Sequence, residues 1–412
     1  MKQRNFRRTL FACCFLMLSD TPAFVLPPIL FAAFRQMYGI SYTLLGTLVL
    51  VNFCTQLAVD LFFTAFSHRL NVNKIFRNMP LLTAAGFVIY AIVPWLFPRF
   101  AYAGLLAGTF IFSVAAGLGE VLTSPTVAAL PSDNPQRDMG ILHSIYGYGA
   151  AATALLSTAF LWIFGTQYWM YLTLFWALLP IAGWIILLGA PLPDREVSQS
   201  TGSFSSKWKK RALILCALCI FLGSAAENTM TNWVSVFMEN ALSLPKAAGD
   251  VLGLSAYMLM LALTRTLYAK YGRNIYKMLL LGMVGAVVCY LAAGLSQSGI
   301  VSIMACMLAG ICTSMLWPGT LIFMEEKCPN PGVAAYALMA AGGDLGASVA
   351  PQGLGIVADT VAVSDWAATI GEKLSLSAEQ IGIKVGMLCT ALFPLAGVFV
   401  LLYMKKFFAK KA

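Results

Sequence analysis

Apolar residues run along this chain in long blocks. They do not alternate with polar ones, as in half-buried strands, and they do not keep to one side of a helical period. Twelve blocks stand out, at 9–34, 43–66, 75–97, 101–128, 139–164, 168–191, 211–238, 247–271, 275–297, 300–324, 332–358 and 382–404. Each is long enough to cross the hydrocarbon of a bilayer, which takes about 20 apolar residues as a helix. Lipid offers backbone groups no hydrogen-bond partner, so only helices or closed barrels span it. Barrel strands would alternate apolar and polar positions. The pattern therefore predicts an all-α polytopic membrane protein with twelve transmembrane helices. The fifth and sixth are parted only by the turn Gly165-Thr166-Gln167.

Composition agrees. Hydrophobic residues make up 59% of the chain and charged residues 11%, against about 25% charged in soluble domains. The N-terminus is basic over Met1–Arg8 and then apolar, as in a signal peptide, but the apolar run continues past Asp20 to Phe34 without a small-residue cleavage site. It reads as an uncleaved first span. The ten cysteines lie almost all within spans, where Cys acts as a small apolar filler. Cys216 and Cys219 have no second pair and no His nearby, so neither a metal site nor a disulfide framework is expected.

Charge sets the topology. Of 27 Lys and Arg, only Arg35, Arg99, Lys246, Lys373 and Lys384 fall to one side of the twelve spans. Arg265 lies within a span, and the rest gather on the other side. By the positive-inside rule that crowded side is cytoplasmic and holds both termini. A location in the cell (inner) membrane is expected. The net charge of +10 is accounted for by topology and anionic lipid headgroups, and no nucleic-acid partner is needed. The longest polar segment on the opposite side, Asp359–Lys384, reads as a partly helical cap.

The only long polar cytoplasmic linker, 192–210, divides the chain into 1–191 and 211–412, each with six spans. The two halves repeat one design. Ala116-Gly117-Leu118-Gly119-Glu120 leads to Pro125, and Ala309-Gly310-Ile311-Cys312-Thr313 leads to Pro318. Asn134-Pro135 and Asn330-Pro331 follow, and then Gly147-Tyr148-Gly149-Ala150 matches Asp344-Leu345-Gly346-Ala347. Phe15 precedes Asp20 much as Phe221 precedes Glu227. Two pseudo-symmetric six-helix bundles of this kind are typical of secondary transporters, with the site at mid-membrane. Pro22, Pro27, Pro28, Pro125 and Pro318 permit bends, and Gly342, Gly343 and Gly346 permit close helix approach.

Four acids fall well inside spans: Asp20, Glu120, Glu227 and Asp344. Asp60 and Arg265 lie nearer the cytoplasmic ends and suit a gate. Intramembrane ionisable groups are expensive, so they face a cavity or a partner. There are too few intramembrane cations to pair four carboxylates. Carboxyls that are neutral in one state and ionised in another suit proton coupling. Asn228 and Asn232 can hydrogen-bond hydroxyls, and Trp233 and Trp317 can cover an apolar ligand face.

The stretch from Glu120 to Pro125, followed by Leu142-His143-Ser144-Ile145-Tyr146-Gly147-Tyr148-Gly149-Ala150, resembles the fucose permease branch of the major facilitator superfamily. So does Asp20 in Ser19-Asp20-Thr21-Pro22. The resemblance implies the major facilitator fold, alternating access, and sugar recognition and proton translocation by Asp20 and Glu120. Ser124 stands where the branch has Asn, and His143 and Tyr146 stand where it has span-five amides.

The expected function is proton-coupled symport of a neutral sugar or related small polar solute. Asp20 and Glu120 are the proton-coupling residues. Asp20, Glu120, His143, Tyr146, Glu227, Asn228, Trp233, Trp317 and Asp344 are the substrate residues. Residues 1–191 would rock against 211–404. The alternatives are a proton-driven exporter of drugs or metabolites, whose permissive pocket the 19 Met would line, and a ligand sensor without turnover. No enzyme is expected, since the chain has two His, no His/Asp-rich cluster and no phosphate loop after a strand. The partners are the solute, protons and the lipid bilayer. No cofactor is implied, and the protein is expected to be a monomer.

Overall fold

The computed structural model describes residues 6–66, 69–132, 135–193, 207–272, 274–328 and 333–409. Its helices are α1 (Phe6–Tyr38), α2 (Tyr42–Phe66), α3 (Val72–Leu96), α4 (Ala101–Ala128), α5 (Pro135–Phe164) and α6 (Trp169–Leu188). They continue as α7 (Lys207–Val236), α8 (Lys246–Gly249), α9 (Ala256–Tyr271), α10 (Ile275–Leu295), α11 (Gly299–Thr313) and α12 (Leu316–Lys327). The last are α13 (Val333–Ala362), α14 (Asp365–Leu374), α15 (Ala378–Thr390) and α16 (Leu392–Ala409). No strand occurs among the described residues.

Eleven helical stretches are long and apolar enough to cross a membrane, and a bent pair, Ala335–Ala362 with Asp365–Leu374, makes a twelfth when taken as one span. The bend is 83°. The segment read as a cap therefore carries a helix, α14. Several spans are less regular than the sequence suggests. The tenth, 300–324, in which Pro318 was expected to permit a bend, breaks between α11 and α12. Pro318 lacks an N–H, so the carbonyl of Ser314 has no helical partner. The last span breaks between α15 and α16, three residues before Pro394. The eighth begins with α8 and a π-helical stretch, Asp250–Ser255. Lys384, counted from the sequence among outside-loop cations, lies within α15, is 7% exposed, and donates to the carbonyl of Ser296 at the end of α10.

One feature of the repeat escaped the sequence reading. Asn71 caps α3 by accepting from the Lys74 amide, and Asn274 caps α10 by accepting from the Lys277 amide, each at 3.0 Å. Related spans thus start with the same device. Asn134, Asn330, Pro331 and linker residues 194–206 lie outside the described residues.

The chain forms two compact units. Unit 1 is Met1–Ala33 with Cys54–Gln199, and unit 2 is Phe34–Phe53 with Ser200–Ala412. In unit 1, α3 packs on α4 and α6. A core of Ala12, Leu16, Phe76, Met79, Leu122, Leu142 and Leu187 joins these helices to α1 and α5. In unit 2, α13 packs on α7 and α15. The glycines expected to allow this do so: a Cβ at Gly342 would lie 2.8 Å from the Ala217 carbonyl oxygen, and one at Gly346 would strike that of Phe221. Large apolar side chains are exposed in both units, among them Trp162, Leu178, Ile214 and Leu281. In water they would be a liability. Facing lipid, they are matched to their solvent.

Candidate functional site

In unit 1 the site begins with the local chemistry of Ser19-Asp20-Thr21-Pro22. Pro22 leaves the Leu18 carbonyl without a helical donor, and the Thr21 hydroxyl supplies one at 2.8 Å. The same hydroxyl meets Thr153 of α5 at 2.9 Å. Gly149 lets α5 come this close, since a Cβ there would lie 2.7 Å from Leu18. The half-buried Asp20, two residues before Pro22, is hydrogen-bonded by the Thr83 hydroxyl of α3. A Cβ on Gly119 would lie 3.2 Å from its Oδ2. Asp20 therefore reaches α4 one residue before Glu120.

Glu120 is exposed. Its carboxylate faces α2, and an oxygen of Asp60 lies within 4.8 Å of one of its own. Gly117 brings the helices together, because a Cβ there would lie 3.0 Å from Val59 and 3.1 Å from the Gln56 Cα. Asp60 is 8% exposed, and its buried Oδ1 has no hydrogen-bond partner among the described residues. Tyr146 is half-buried with its ring edge-on to Phe24, centroids 6.0 Å apart. His143 falls within α5, but its side chain lies outside the described residues.

In unit 2, Glu227 on α7 accepts from Arg265 Nη2 at 2.7 Å, while its buried Oε2 is without a partner among the described residues. Arg265 Nε donates at 2.8 Å to the Ser314 carbonyl that Pro318 left open. One guanidinium thus joins α9, the acid on α7 and the break between α11 and α12. Tyr257 reinforces the junction: its hydroxyl donates to the Glu227 carbonyl at 3.1 Å and meets the Thr313 hydroxyl at 2.9 Å. Asn228 donates to the Ser224 carbonyl and hydroxyl, both at 3.1 Å, and Asn232 donates to the Asn228 carbonyl at 2.8 Å. Trp317 is half-buried with its indole nitrogen against Gly343. The next residue, Asp344, is 7% exposed. Trp233 is elsewhere: it is fully buried, donates to the Pro351 carbonyl at 3.0 Å, and meets the Tyr42 ring edge-on.

Sequence reasoning missed the largest polar network of unit 2. Asp359 on α13 accepts from the Tyr42 and Thr43 amides at 3.1 and 2.6 Å, capping α2 with a carboxylate more than 300 residues away. Arg35 Nε donates to Glu379 at 2.8 Å, and the guanidinium lies 4.0 Å from both the Tyr42 ring centre and Asp359. The Tyr42 hydroxyl donates to Glu379 at 2.5 Å and accepts from Asn240 at 2.6 Å. Only the lack of an acid in the first turn of α2 hinted that something else must satisfy it. A second missed group sets Lys246 3.6 Å from Glu239 and 3.3 Å from Asp250, to which Ser235 also donates.

Eleven or twelve apolar helices long enough to cross a bilayer, with acids set within them, mark an integral membrane protein. The Major Facilitator Superfamily profile matches residues 10–351, and the chain belongs to that family. Its members move small solutes, often with protons, and the protein is a transporter and not an enzyme. None of the curated protein sequences compared with the chain matches it.

Solved structures share the fold over nearly the whole length. A bacterial homologue of the human lysosomal transporter Spinster, inward-facing and unoccupied, is similar at TM-score 0.74 and 14% identity, covering 100% of this chain and 99% of its own. The inward-open xylose transporter XylE from E. coli has TM-score 0.73 and 14% identity, with 98% and 96% covered. The E. coli fucose:proton symporter FucP has TM-score 0.61 and 13% identity, with 97% and 99% covered.

Proposed function

We propose that the protein is a proton-coupled symporter for a neutral sugar or related small polar solute, working by alternating access. On this reading it stands near the fucose permease branch. Residues 1–191 and 211–412 are its two six-helix bundles and 192–210 their linker. It acts as a monomer in the cell (inner) membrane with both termini in the cytoplasm. One observation carries the reading: Asp20, Asp60 and Glu120 make no ion pair among the described residues, whereas Glu227 is held by Arg265. Acids without a cation are the ones that can take up and release a proton. Similarity to a xylose transporter and a fucose:proton symporter supports the solute class.

In this mechanism Glu120 carries the coupled proton, with Asp20 beside it as a proton and substrate group. Tyr146 and His143 on α5 add substrate contacts, as do Asn228, Glu227, Trp317 and Asp344 from unit 2. Trp233, whose indole donates to the Pro351 carbonyl, is the further substrate residue on α7.

The test is uptake of labelled xylose and fucose into vesicles of purified protein under an imposed pH gradient. Accumulation that collapses with a protonophore is expected. Equilibration without accumulation would replace symport with uniport. Gradient-driven export of lipophilic dyes, with neither sugar moved, would favour the exporter. A reporter at Ser203 should be cytoplasmic and one at Trp366 external, and both on one side would overturn the topology.

A further inference from the structure

The proton site has two obvious arrangements, Glu120 with Asp20 or Glu120 with Asp60. We propose the second: Asp60 and Glu120 form one site that holds a single shared proton, and Asp20 stands outside it as a hydroxyl-bound ligand group. The proposal rests on the proton-coupled reading above and assigns Asp60 a part in coupling that its sequence position, near a helix end, did not suggest.

Three observations support the pair. The carboxylate oxygens of Asp60 and Glu120 approach within 4.8 Å. One water molecule or a small side-chain rotation completes an O–H···O link across such a gap. The approach is built into the backbone, because Gly117 removes the Cβ that would hold α4 off Val59 and Gln56. Finally, Asp60 Oδ1 is buried and has no hydrogen-bond partner among the described residues, on a residue 8% exposed. A buried oxygen left open in this way is costly unless something visits it.

Asp20 differs on the last count. Its carboxylate already has the Thr83 hydroxyl as donor. No Lys or Arg pairs with Asp60 or Glu120 among the described residues. Two like charges at this separation repel in a medium poor in water, so the pair is held most cheaply with one proton between them. Glu120 is exposed and Asp60 is not. Glu120 is therefore the end at which the proton enters and leaves, and Asp60 is the fixed acceptor. The occupied site is one carboxyl O–H donating to one carboxylate. Release to water leaves two carboxylates.

The experiment needs no transported solute. Protein reconstituted in lipid is studied by infrared spectroscopy near neutral pH, in H2O and D2O, following the C=O stretch of protonated carboxyls. Asp60→Asn and Glu120→Gln should each remove the same one-carboxyl band. The double variant should remove no more, and Asp20→Asn should retain the band. The proposal fails if Asp60→Asn leaves the band as in the parent, or if the losses add in the double variant. If Asp60→Asn does not fold, Glu120→Gln reads the same proton from the other helix, and an unchanged band there overturns the proposal. Loss of the parent band when sodium chloride replaces choline chloride would also overturn it, in favour of a bound sodium ion. Protein that keeps this behaviour but moves no sugar would sink the sugar reading alone. A sugar symporter whose band ignores both variants would sink only the pair.

Discussion

The acids of the two units are housed differently. In unit 2, Glu227 meets Arg265, Glu379 and Asp359 meet Arg35, and Glu239 and Asp250 meet Lys246. In unit 1, Asp20 meets a hydroxyl, and Asp60 and Glu120 meet each other. An acid beside a cation keeps its charge, and removing its partner strands that charge away from water. An acid beside a neutral or like-charged group can gain and lose a proton at small cost. The first kind holds helices together and the second can couple a gradient. The cation-held acids named here lie in unit 2 and these three in unit 1, although the sequence repeat places Asp20 and Glu227 at corresponding points, and unit 2 also holds Glu325 beside the neutral Tyr336 hydroxyl.

The largest effect expected from this contrast is on transport. One pH unit across the membrane is worth about 1.4 kcal/mol per coupled proton, enough for about tenfold accumulation. Glu120→Gln should lose that factor in full while still exchanging labelled for unlabelled solute, because the amide mimics the protonated acid. Vesicle uptake with and without a gradient separates the two. Parent-like accumulation by Glu120→Gln would mean that unit 1 does not carry the coupling.

The next largest effect is on stability, in unit 2. Arg265→Met leaves Glu227 without its cation and the Ser314 carbonyl without its donor. A fully buried pair broken on one side costs roughly 3–5 kcal/mol. With the Arg265 side chain 33% exposed, about 2–3 kcal/mol is expected. Adding Glu227→Gln should recover much of the loss. Thermal unfolding in detergent measures both variants. No recovery in the double variant would show that Arg265 acts mainly through Ser314.

Asp359→Ala should come third. It removes both acceptors at the start of α2, and loss of an N-cap costs typically about 1 kcal/mol. Asp359→Asn keeps one acceptor oxygen, so its loss should be smaller. Equal losses would point to the Arg35 contact at 4.0 Å, and not to the cap, as what Asp359 contributes.

Much of this was legible in the chain, and what was hidden shares a physical character. Span positions follow from apolar blocks, since lipid leaves a segment little choice. Asp20, Glu120 and Glu227 announced themselves as charges where charge is expensive, and Pro318 announced a break. Partner identity was not legible. Arg265 and Asp60 read as gate residues from their position along a span, which says nothing about the facing helix and so named neither the Glu227 nor the Glu120 contact. Arg35, Asp359 and Glu379 lie at span ends, where charges are unremarkable, and they meet only because α13 and α15 bring distant sequence together. The π-helical turn Asp250–Ser255 leaves no periodic signal in the sequence, whereas the break between α15 and α16 falls just before Pro394. His143 stays as the sequence left it.

The smallest effect expected is at Glu379. Its carboxylate takes the Arg35 Nε–H and the Tyr42 hydroxyl, and Gln would keep one acceptor oxygen for one of them. The ion pair has side chains 28% and 40% exposed, so water already competes for it. Exposed pairs are worth about 0–1 kcal/mol. Glu379→Gln should therefore cost less than about 1 kcal/mol in thermal unfolding, and the difference should shrink as salt is raised to about 1 M, where charges are screened within about 3 Å. Tyr42→Phe removes the neutral half of the arrangement and should show no salt dependence beyond the parent's. A salt-insensitive loss above about 2 kcal/mol for Glu379→Gln would place this acid with Glu227 as a buried charge, and exposure would then not explain the range of strengths within unit 2.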